Sequence, residues 1–287
     1  MLLLGLFLSF LSHPILASSQ IQSQIFDIDY GKSDQEHHLI LLSNGQVLKA
    51  SHDKSDLLKK IASKNIKEQV YDFKFNKQRF VQEIRPIETS PSDPSFSQEM
   101  IDLFEPYLPT TISSLQIARR YFREARYNPK ESQCFNRAMV WTYEWWRKHS
   151  LKSNKILIFF TRNYIRRYSF EWWFHISPYV HVLDDGKVVE KVMDVKYGSG
   201  PMSFRNWTNI FMNGDPECPV ISKFSDYADN PYIGDCYIIR TNMYTYQPAD
   251  LQMNEAWGYT KDHFEMKEVK QAYLEAFNEI LLESKEQ

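Results

Sequence analysis

Apolar and polar residues alternate along the first part of the chain in a pattern typical of a small α+β unit. Extended patterns fall on three segments, residues 21–30, 38–49 and 69–87. The second segment contains Asn44 and Gly45, which supply the positive φ angles of a tight hairpin turn. Ser55 is expected to cap a short helix before the third segment. The pattern therefore predicts a separate N-terminal unit over residues 20–87.

After residue 110 the pattern favours longer helices and more apolar strands. Amphipathic helices are expected to begin near Ser114 and at Cys134, and an apolar strand is expected over 156–160. Three arginines after that strand are expected to lie in a loop: Arg162, Arg166 and Arg167. A final helix over 265–284 has one apolar face, which we expect to pack on the core.

The most informative stretch is a pair of strand patterns that predicts a β-hairpin. The patterns cover 171–183 and 187–195, and Asp185 and Gly186 supply the two-residue turn between them. Residues that face each other across such a hairpin lie on the same side of the sheet, and the side alternates at every residue. The turn therefore fixes which polar residues of the two strands come together.

This register brings His175 and Asp194 to one side of the sheet. Extending the pairing from the turn places His175 opposite Lys196, and Asp194 opposite Ser177. His175 and Asp194 are then diagonal neighbours, within reach of each other's side chains. The sequence thus predicts an imidazole–carboxylate pair.

A second histidine also has an acidic partner in this register. His181 faces Glu190, close to the turn. A histidine–carboxylate pair at that place is typical of a surface ion pair. We therefore favour His175 over His181 as the functional histidine.

Composition and charge exclude some classes of function. The chain of 287 residues can hold one large domain or two small ones, and 43% hydrophobic residues suffice for a core. A net charge of −2 gives no polybasic signal for a nucleic-acid partner. No histidines or cysteines occur at the spacing of a metal site, so we predict neither a metal nor another cofactor.

The start of the chain is expected to be a signal peptide, residues 1–19. The apolar run 1–17 is shorter than a membrane span of about 20 residues. Small residues follow Pro14, as they do at a signal-peptidase cleavage site. The N-terminal part of the run lacks the Lys or Arg that is usual in a signal peptide. We expect a secreted or periplasmic protein without a stable membrane span after cleavage; a membrane anchor is the alternative. Residues 88–99, rich in Pro and Ser, are expected to link the N-terminal unit to a catalytic domain over 100–287, or to form a loop within one domain.

Three cysteines are too few for a disulfide scaffold. In an exported protein an odd number suggests one disulfide and one free thiol, and the economical pairing joins Cys218 to Cys236. Cys134 would then be free at the start of a helix, where the helix dipole and unpaired N–H groups favour a thiolate. We interpret Cys134 as a candidate nucleophile; a buried structural cysteine is the alternative.

The order Cys134, His175, Asp194 resembles the papain-like and transglutaminase-like core. More closely, the chain is similar to the protein-glutaminase family, secreted bacterial enzymes that deamidate glutamine side chains in proteins. The matching segments are 134–138 for the family's Cys-x-x-Arg-Ala, 172–175 for its Trp-x-aromatic-His and 198–207 for its Gly-Pro…Trp. One departure is Val195, where the family pattern has proline.

The resemblance implies an α+β fold in which the helix of Cys134 packs on an antiparallel sheet bearing His175 and Asp194. It implies hydrolysis of protein- or peptide-bound glutamine to glutamate and ammonia through a cysteine thioester. Cys134 would be the nucleophile, His175 the general base and acid, and Asp194 the partner of the imidazole. It also implies that residues 20–87 are an intramolecular pro-segment that covers the active site and is released by cleavage within 88–98.

The same three residue types serve other reactions. A transglutaminase and a cysteine peptidase differ from a deamidase in what attacks the thioester and in what enters the site. A non-catalytic binding module that retains the three residues belongs to another class. The sequence favours deamidation and keeps these functions as alternatives.

Overall fold

A computed structural model of the chain describes residues 19–33, 35–63, 69–87, 107–126, 132–214, 216–258 and 260–281. Contacts between Cα atoms divide the chain into two compact units, 1–92 and 93–287. The predicted linker 88–99 and all of the predicted signal peptide except Ser19 lie outside the described residues, so the predicted domain boundaries stay predictions. Within the described ranges, no helix has the length and apolar character needed to cross a membrane.

The N-terminal unit contains an antiparallel sheet and one helix. Its elements are β1 (Ser19–Asp29), β2 (His38–Leu42), β3 (Val47–Ala50), a 3₁₀ turn (His52–Lys54), α1 (Ser55–Ala62), β4 (Val70–Phe75) and β5 (Val81–Pro86). The strand order is β3-β2-β1-β4-β5. Leu58 of α1 is buried with Ile25, Leu48 and Phe73 of the sheet, so the apolar face of the helix closes the core of this unit.

Two local predictions for this unit have different outcomes. The hairpin at Asn44 and Gly45 is confirmed, and Gly45 has a φ of 88°, which a glycine adopts without strain. The predicted cap is wrong, because Ser55 is the first residue of α1 rather than the residue before it. Its hydroxyl donates a hydrogen bond to the carbonyl oxygen of His52 at 2.6 Å. A hydroxyl that is engaged in this way leaves the helix start without a side-chain cap.

The second unit combines a six-stranded sheet with helices. Its elements are β6 (Thr111–Ile112), α2 (Leu115–Glu124), α3 (Cys134–His149), β7 (Asn154–Phe160), α4 (Arg162–Tyr168), β8 (Phe174–Asp184), β9 (Lys187–Val192), α5 (Phe204–Phe211), β10 (Val220–Ile221), α6 (Phe224–Asp229), β11 (Cys236–Asn242), α7 (Pro248–Trp257) and α8 (Met266–Phe277). The order is β10-β11-β7-β8-β6, and β9 pairs with β8. The long ladders are antiparallel, and only the two-residue strands β6 and β10 pair in parallel. The predicted α+β fold is confirmed.

The β8–β9 hairpin has the predicted register. Asp184 faces Lys187, and Gly186 in the turn has a φ of 75°. The ladder ends at Val192, however, so Asp194 lies beyond the strand that was expected to carry it. The expectation that Asp194 lies on a strand is therefore wrong, although the register still directs it towards His175.

The segment after β7 is a helix and not the predicted loop. Thr161 caps it by accepting a hydrogen bond from the backbone N–H of Tyr164 at 3.2 Å. Its first residue, Arg162, is buried and donates to the hydroxyl of Tyr227 at 2.7 Å. A helix of only 7 residues is too short for apolar periodicity to reveal it.

Helix α3 is anchored to α2 through two buried tryptophans. The indole N–H of Trp141 donates to the carbonyl oxygen of Arg126 at 2.7 Å, and that of Trp145 donates to the carbonyl oxygen of Tyr121 at 3.0 Å. A buried indole N–H without a partner is costly, so each bond selects one placement of the helix. These contacts fix the direction of α3, which begins at Cys134.

A buried ionic cluster centred on Lys261 connects α7 to α8. The Lys261 ammonium lies 3.0 Å from Asp250, 3.1 Å from Glu265 and 2.6 Å from Glu268. Burial removes much of the hydration of these charges, and only their mutual pairing offsets that cost. The cluster therefore tolerates the loss of its single cation poorly.

Lys155 of β7 is fully buried near this cluster. Its Nζ donates to the carbonyl oxygen of Thr245 at 2.6 Å, and the sulfur of Met139 is 3.8 Å away. Burial lowers the pKa of Lys155 from 10.5 to about 7, despite the nearby charges of Glu268 and Asp250. The protein therefore holds an amine whose charged form is disfavoured by its surroundings.

We expect the substitution Lys155→Met to alter how stability depends on pH. Between about pH 7 and pH 10.5 the amine of Lys155 is protonated in the unfolded chain and neutral in the folded protein. The free energy of unfolding of the wild type therefore increases as the pH rises through this range. The variant has no amine at this position, so its free energy of unfolding lacks this dependence on pH. Urea unfolding at pH 8, 9 and 10 should favour the wild type increasingly, by about 1 kcal/mol per pH unit.

The matched control is Lys261→Met, which removes the cation of the ionic cluster. It should lower the free energy of unfolding by about 3 kcal/mol, because the buried carboxylate of Asp250 and the largely buried carboxylate of Glu268 lose their counterion. A pH-independent difference between Lys155→Met and the wild type would contradict the placement of a neutral amine at Lys155.

Candidate active site

Cys134 is the first residue of α3. The preceding residue, Gln133, has an extended backbone (φ −67°, ψ 146°), so the helix begins after it. At the C-terminal end, Ser150 adopts the left-handed conformation and ends the helix. Three basic residues in the last turn complement the helix dipole: Arg147, Lys148 and His149. The first N–H groups of a helix have no partner within it, so the thiol of Cys134 lies at a partly positive end.

His175 of β8 lies between Cys134 and Asp194. Its Nε2 is 2.6 Å from Oδ2 of Asp194, and the imidazole also forms a hydrogen bond with the thiol of Cys134. The bond to Asp194 uses Nε2, so Nδ1 is the ring nitrogen left for the sulfur. All three side chains are at least nine-tenths buried.

The loop after β9 holds Asp194 in place. Two backbone hydrogen bonds between Val192 and Met202, at 2.8 and 3.1 Å, close this loop. Trp207 donates its indole N–H to Oδ2 of Asp194 at 3.0 Å. Gly198 donates its backbone N–H to the Asp194 carbonyl at 2.9 Å, and a Cβ there would lie 3.2 Å from that oxygen. The close approach therefore favours glycine at position 198.

The three groups shift one another's pKa values in the direction of an ion pair. Burial raises the pKa of the Cys134 thiol, but the hydrogen bond and charge of His175, helped by Arg137, outweigh burial and lower that pKa. Burial lowers the pKa of His175, yet the charge and hydrogen bond of Asp194 raise it to about 9. Burial raises the pKa of Asp194, but the charge of His175 and the bonds from His175 and Trp207 lower it. The direction of all three shifts favours the charged forms, namely the thiolate, the imidazolium and the carboxylate.

Cys134 and His175 open into a cavity of about 210 Å³. Its apolar wall consists largely of aromatic side chains: Phe160, Phe170, Trp172, Tyr197 and Phe211. Arg137 and Lys196 add two basic groups to the lining. A cavity of this size admits one extended side chain rather than a large ligand.

The structure brings together the three residues selected from the sequence. Cys134, His175 and Asp194 form a continuous chain of hydrogen bonds. His181 does not contribute to the cavity, as far as its described lining shows, and it faces Glu190 across the hairpin. The carboxylate of Glu190 in turn accepts a hydrogen bond from Arg240 at 2.7 Å.

The cysteine pairing predicted from the sequence is confirmed. Cys218 and Cys236 form a disulfide, and Cys134 has a free thiol. Across the described segments, no group of three or more His, Cys, Asp or Glu side chains is arranged to hold a metal ion.

Three residues of the site were not assigned roles from the sequence. Trp207 was part of a motif, but only the fold shows that its indole N–H bonds Asp194. Arg137 follows Cys134 by one turn of helix, and this spacing is a signal that it shares the face of the thiol. Lys196 was already opposite His175 in the hairpin register, which is a signal that it lies beside the candidate site.

Comparisons with known proteins agree with the resemblance that the sequence suggested. Residues 111–211 match the sequence profile of a family described as "Glutaminase", and this span includes Cys134, His175 and Asp194. A comparison with curated proteins gave no match.

The fold is similar to that of a solved pro-protein-glutaminase. That crystal structure has a TM-score of 0.51 and 11% identity, covering 88% of this chain and 90% of that chain. A mutant of pro-protein-glutaminase has a TM-score of 0.50 and 12% identity, covering 79% of this chain and 84% of that chain. At such identities the structural likeness concerns the fold alone. The resemblance to the protein-glutaminase family is confirmed, and the profile match over residues 111–211 supports an enzyme of the glutaminase type.

The lowered pKa of Cys134 predicts its reactivity. We expect its alkylation by iodoacetamide to rise with pH through an apparent pKa below the value of about 8.5 for an ordinary thiol. Asp194→Asn should move this apparent pKa upward, because the imidazolium of His175 loses its anionic partner. Mass spectrometry of the modified Cys134 peptide measures the rates.

Asp185→Asn is the matched control, since it changes the same residue type in the β8–β9 turn, where asparagine tolerates a φ of 48°. It should leave the alkylation profile at the wild-type position. If Asp194→Asn and Asp185→Asn gave the same profile, Asp194 would have no electrostatic role at Cys134.

Proposed function

We propose that this chain hydrolyses the side-chain amide of glutamine in proteins or peptides, releasing ammonia and leaving glutamate. The observation that carries the proposal is the hydrogen-bonded series Cys134, His175 and Asp194, whose first two members line a small cavity. The glutaminase profile over 111–211 supports the same reaction.

In the first half of the proposed reaction the thiolate of Cys134 attacks the amide carbon of glutamine. A carboxamide is a poor electrophile, so a strong nucleophile is required. The negative charge that develops on the amide oxygen faces the start of α3, where the backbone N–H of Cys134 is the natural donor. His175 donates a proton to the departing nitrogen, which leaves as ammonia, and a thioester remains on Cys134.

In the second half a water molecule hydrolyses the thioester. His175 is neutral after the first half and accepts a proton from this water as it attacks. The thiolate of Cys134 is then the leaving group, and glutamate is released. Asp194 holds the imidazole through Nε2 in both halves, so that Nδ1 always faces the reacting sulfur.

The acyl acceptor distinguishes this proposal from its alternatives. After removal of the N-terminal unit, the purified protein should release ammonia from Cbz-Gln-Gly and from casein, without incorporating an added amine and without creating new N-termini. Amine incorporation would indicate transglutamination, and new N-termini would indicate proteolysis. Absence of all three products, after removal of the N-terminal unit, would contradict an enzymatic role.

Two variants test the assignment of residues in the same assay. Cys134→Ala should lower ammonia release at least about a thousandfold, because the nucleophile is lost. His175→Ala should have a comparable effect, whereas His181→Ala should retain activity close to that of the wild type. An inactive His181→Ala with an active His175→Ala would overturn the assignment.

We also propose that residues 20–87 act as an intramolecular pro-segment. The support is the likeness to a pro-protein-glutaminase, which covers 88% of this chain and therefore more than the candidate catalytic domain. Export to the periplasm or medium is part of the same proposal. The Cys218–Cys236 disulfide supports it, because such bonds persist in oxidising compartments.

A chain that begins at Gln20 should be inactive until it is cut. Limited proteolysis followed by N-terminal sequencing should find cleavage within 88–98, and ammonia release should rise as the cut form accumulates. Full activity of the uncut chain would contradict the pro-segment.

A further inference from the structure

The start of α3 lacks two features that usually stabilise the first turn of a helix. Among the described residues, no side-chain cap forms at Gln133, which precedes the helix. The first turn also carries no acidic residue that would complement the helix dipole. Such a turn frays readily, yet this one carries Cys134, whose thiol has to stay beside His175. Contacts from other elements are therefore needed to hold it.

Asn136, in this first turn, makes two such contacts. Its side chain is fully buried. Its Nδ2 donates to Oε2 of Glu275 on α8 at 2.5 Å, and its Oδ1 accepts a hydrogen bond from the hydroxyl of Tyr246. Asparagine is a weak helix former, so propensity does not account for its place here. Both ends of its amide instead bind the turn to elements outside the helix.

Tyr246 contacts two residues of the same turn. Besides the hydroxyl bond to Asn136, its ring packs edge-on against Phe135, with 5.1 Å between the ring centroids. The centroid of the Phe135 ring lies 6.4 Å from that of Phe174. Phe174 directly precedes His175 on β8. The contacts of Tyr246 therefore connect the turn of the nucleophile to the strand of the imidazole.

Tyr246 is itself held by the start of α7. Its backbone N–H donates to Oδ2 of Asp250 at 2.5 Å. Oδ1 of Asp250 lies 3.0 Å from the ammonium of Lys261, within the ionic cluster. Tyr246 is also buried, so both its backbone and its ring are fixed. Its hydroxyl is thereby kept in place for Asn136.

We propose that Asn136 and Tyr246 are positioning residues for the nucleophile. They hold the first turn of α3 where the thiol of Cys134 forms its hydrogen bond with His175. Neither side chain belongs to the described lining of the cavity, so both act through Cys134. The inference rests on the proposed function for the reaction that is affected, but its effect on the thiol is measurable without that reaction.

Tyr246→Phe tests the proposal, because it removes the hydroxyl and keeps the ring against Phe135. Oδ1 of Asn136 then stays buried without its donor, and the first turn shifts or frays. Alkylation of Cys134 by iodoacetamide at neutral pH should slow about tenfold. Its pH profile should move upward, because the thiol is less often bonded to His175. In the ammonia assay on protein cut within 88–98, kcat should fall about tenfold while KM stays within about twofold.

Tyr273→Phe is the matched control. Tyr273 of α8 is also buried, and its hydroxyl donates to Oε1 of Glu144 at 3.1 Å. Glu144 lies on α3 as well, but about 15 Å along the helix from Cys134. Each variant thus removes one buried phenolic hydroxyl from the same helix. Both should lower the melting temperature by about 3 °C, but Tyr273→Phe should keep the wild-type alkylation profile and kcat.

A double variant tests whether the two residues act as one unit. Asn136→Ala removes both bonds of the amide, so adding Tyr246→Phe to it should slow alkylation by no more than about twofold. Fully additive losses would contradict the proposal, since Tyr246 would then act apart from Asn136. If Asn136→Ala does not fold, Tyr246→Phe alone still decides the outcome.

The results separate this proposal from deamidation. A wild-type alkylation profile for Tyr246→Phe would overturn the positioning role, and so would equal changes in Tyr246→Phe and Tyr273→Phe, since lost stability would then explain both. If only Tyr246→Phe changes the profile while no protein releases ammonia, deamidation fails and the positioning role stands. If the wild type and Tyr246→Phe release ammonia with the same kcat and are alkylated alike, deamidation stands and the positioning role fails.

Discussion

The hydrogen bond between Nε2 of His175 and Oδ2 of Asp194 is the contact on which the candidate site depends. Both groups are buried, and burial by itself disfavours a charge on either of them. Their mutual attraction outweighs that penalty, and the indole of Trp207 adds a second donor to the same oxygen. The imidazole is thereby fixed in one orientation, with its other nitrogen towards Cys134. Without this bond His175 would lose the partner that raises its pKa, and with it much of the charge that lowers the pKa of Cys134.

Other contacts in the second unit hold α3, which carries Cys134, in place beside β8, which carries His175. Helix α3 carries Cys134, and its tryptophans bind the carbonyl groups that end and follow α2. On the other side, Asn136 donates to Glu275 of α8 at 2.5 Å and accepts from the hydroxyl of Tyr246. The position of the thiol is therefore set by hydrogen bonds to both sides of the helix, while β8 and the loop after β9 set the positions of His175 and Asp194.

Charge is distributed unevenly in this unit, and the consequences differ by location. At Lys261 one cation meets three carboxylates and links two helices. At Lys155 a single amine is buried beside one carbonyl oxygen, and its pKa falls. At the cavity, the charge of Arg137 acts on Cys134 and Asp194 and lowers the pKa of both groups. The first arrangement links two helices, the second is a cost to the fold, and the third favours the charged forms of the candidate site.

Local patterns in the sequence determined a large part of this picture. The turn residues of the β8–β9 hairpin fixed its register, and side-chain alternation predicted that His175 and Asp194 come together. The strand ends at Val192, so the loop after β9, and not a strand, carries Asp194 to His175. Helical spacing gave α3 and its start at Cys134. The short helix at Arg162 was missed, because so few residues carry no readable period and tertiary burial against Tyr227 decides its conformation.

Only the tertiary structure decided what those elements do together. The approach of α3 to β8, the bond from Trp207 to Asp194 and the meeting of Arg137 with Lys196 join residues far apart in the chain, and no local pattern encodes such distances. The sequence by itself therefore determined which side chains are the candidates for the chemistry and which local patterns carry them. Packing of the helices on the sheet decided that the thiol and the imidazole line one cavity, with the carboxylate bonded to the imidazole.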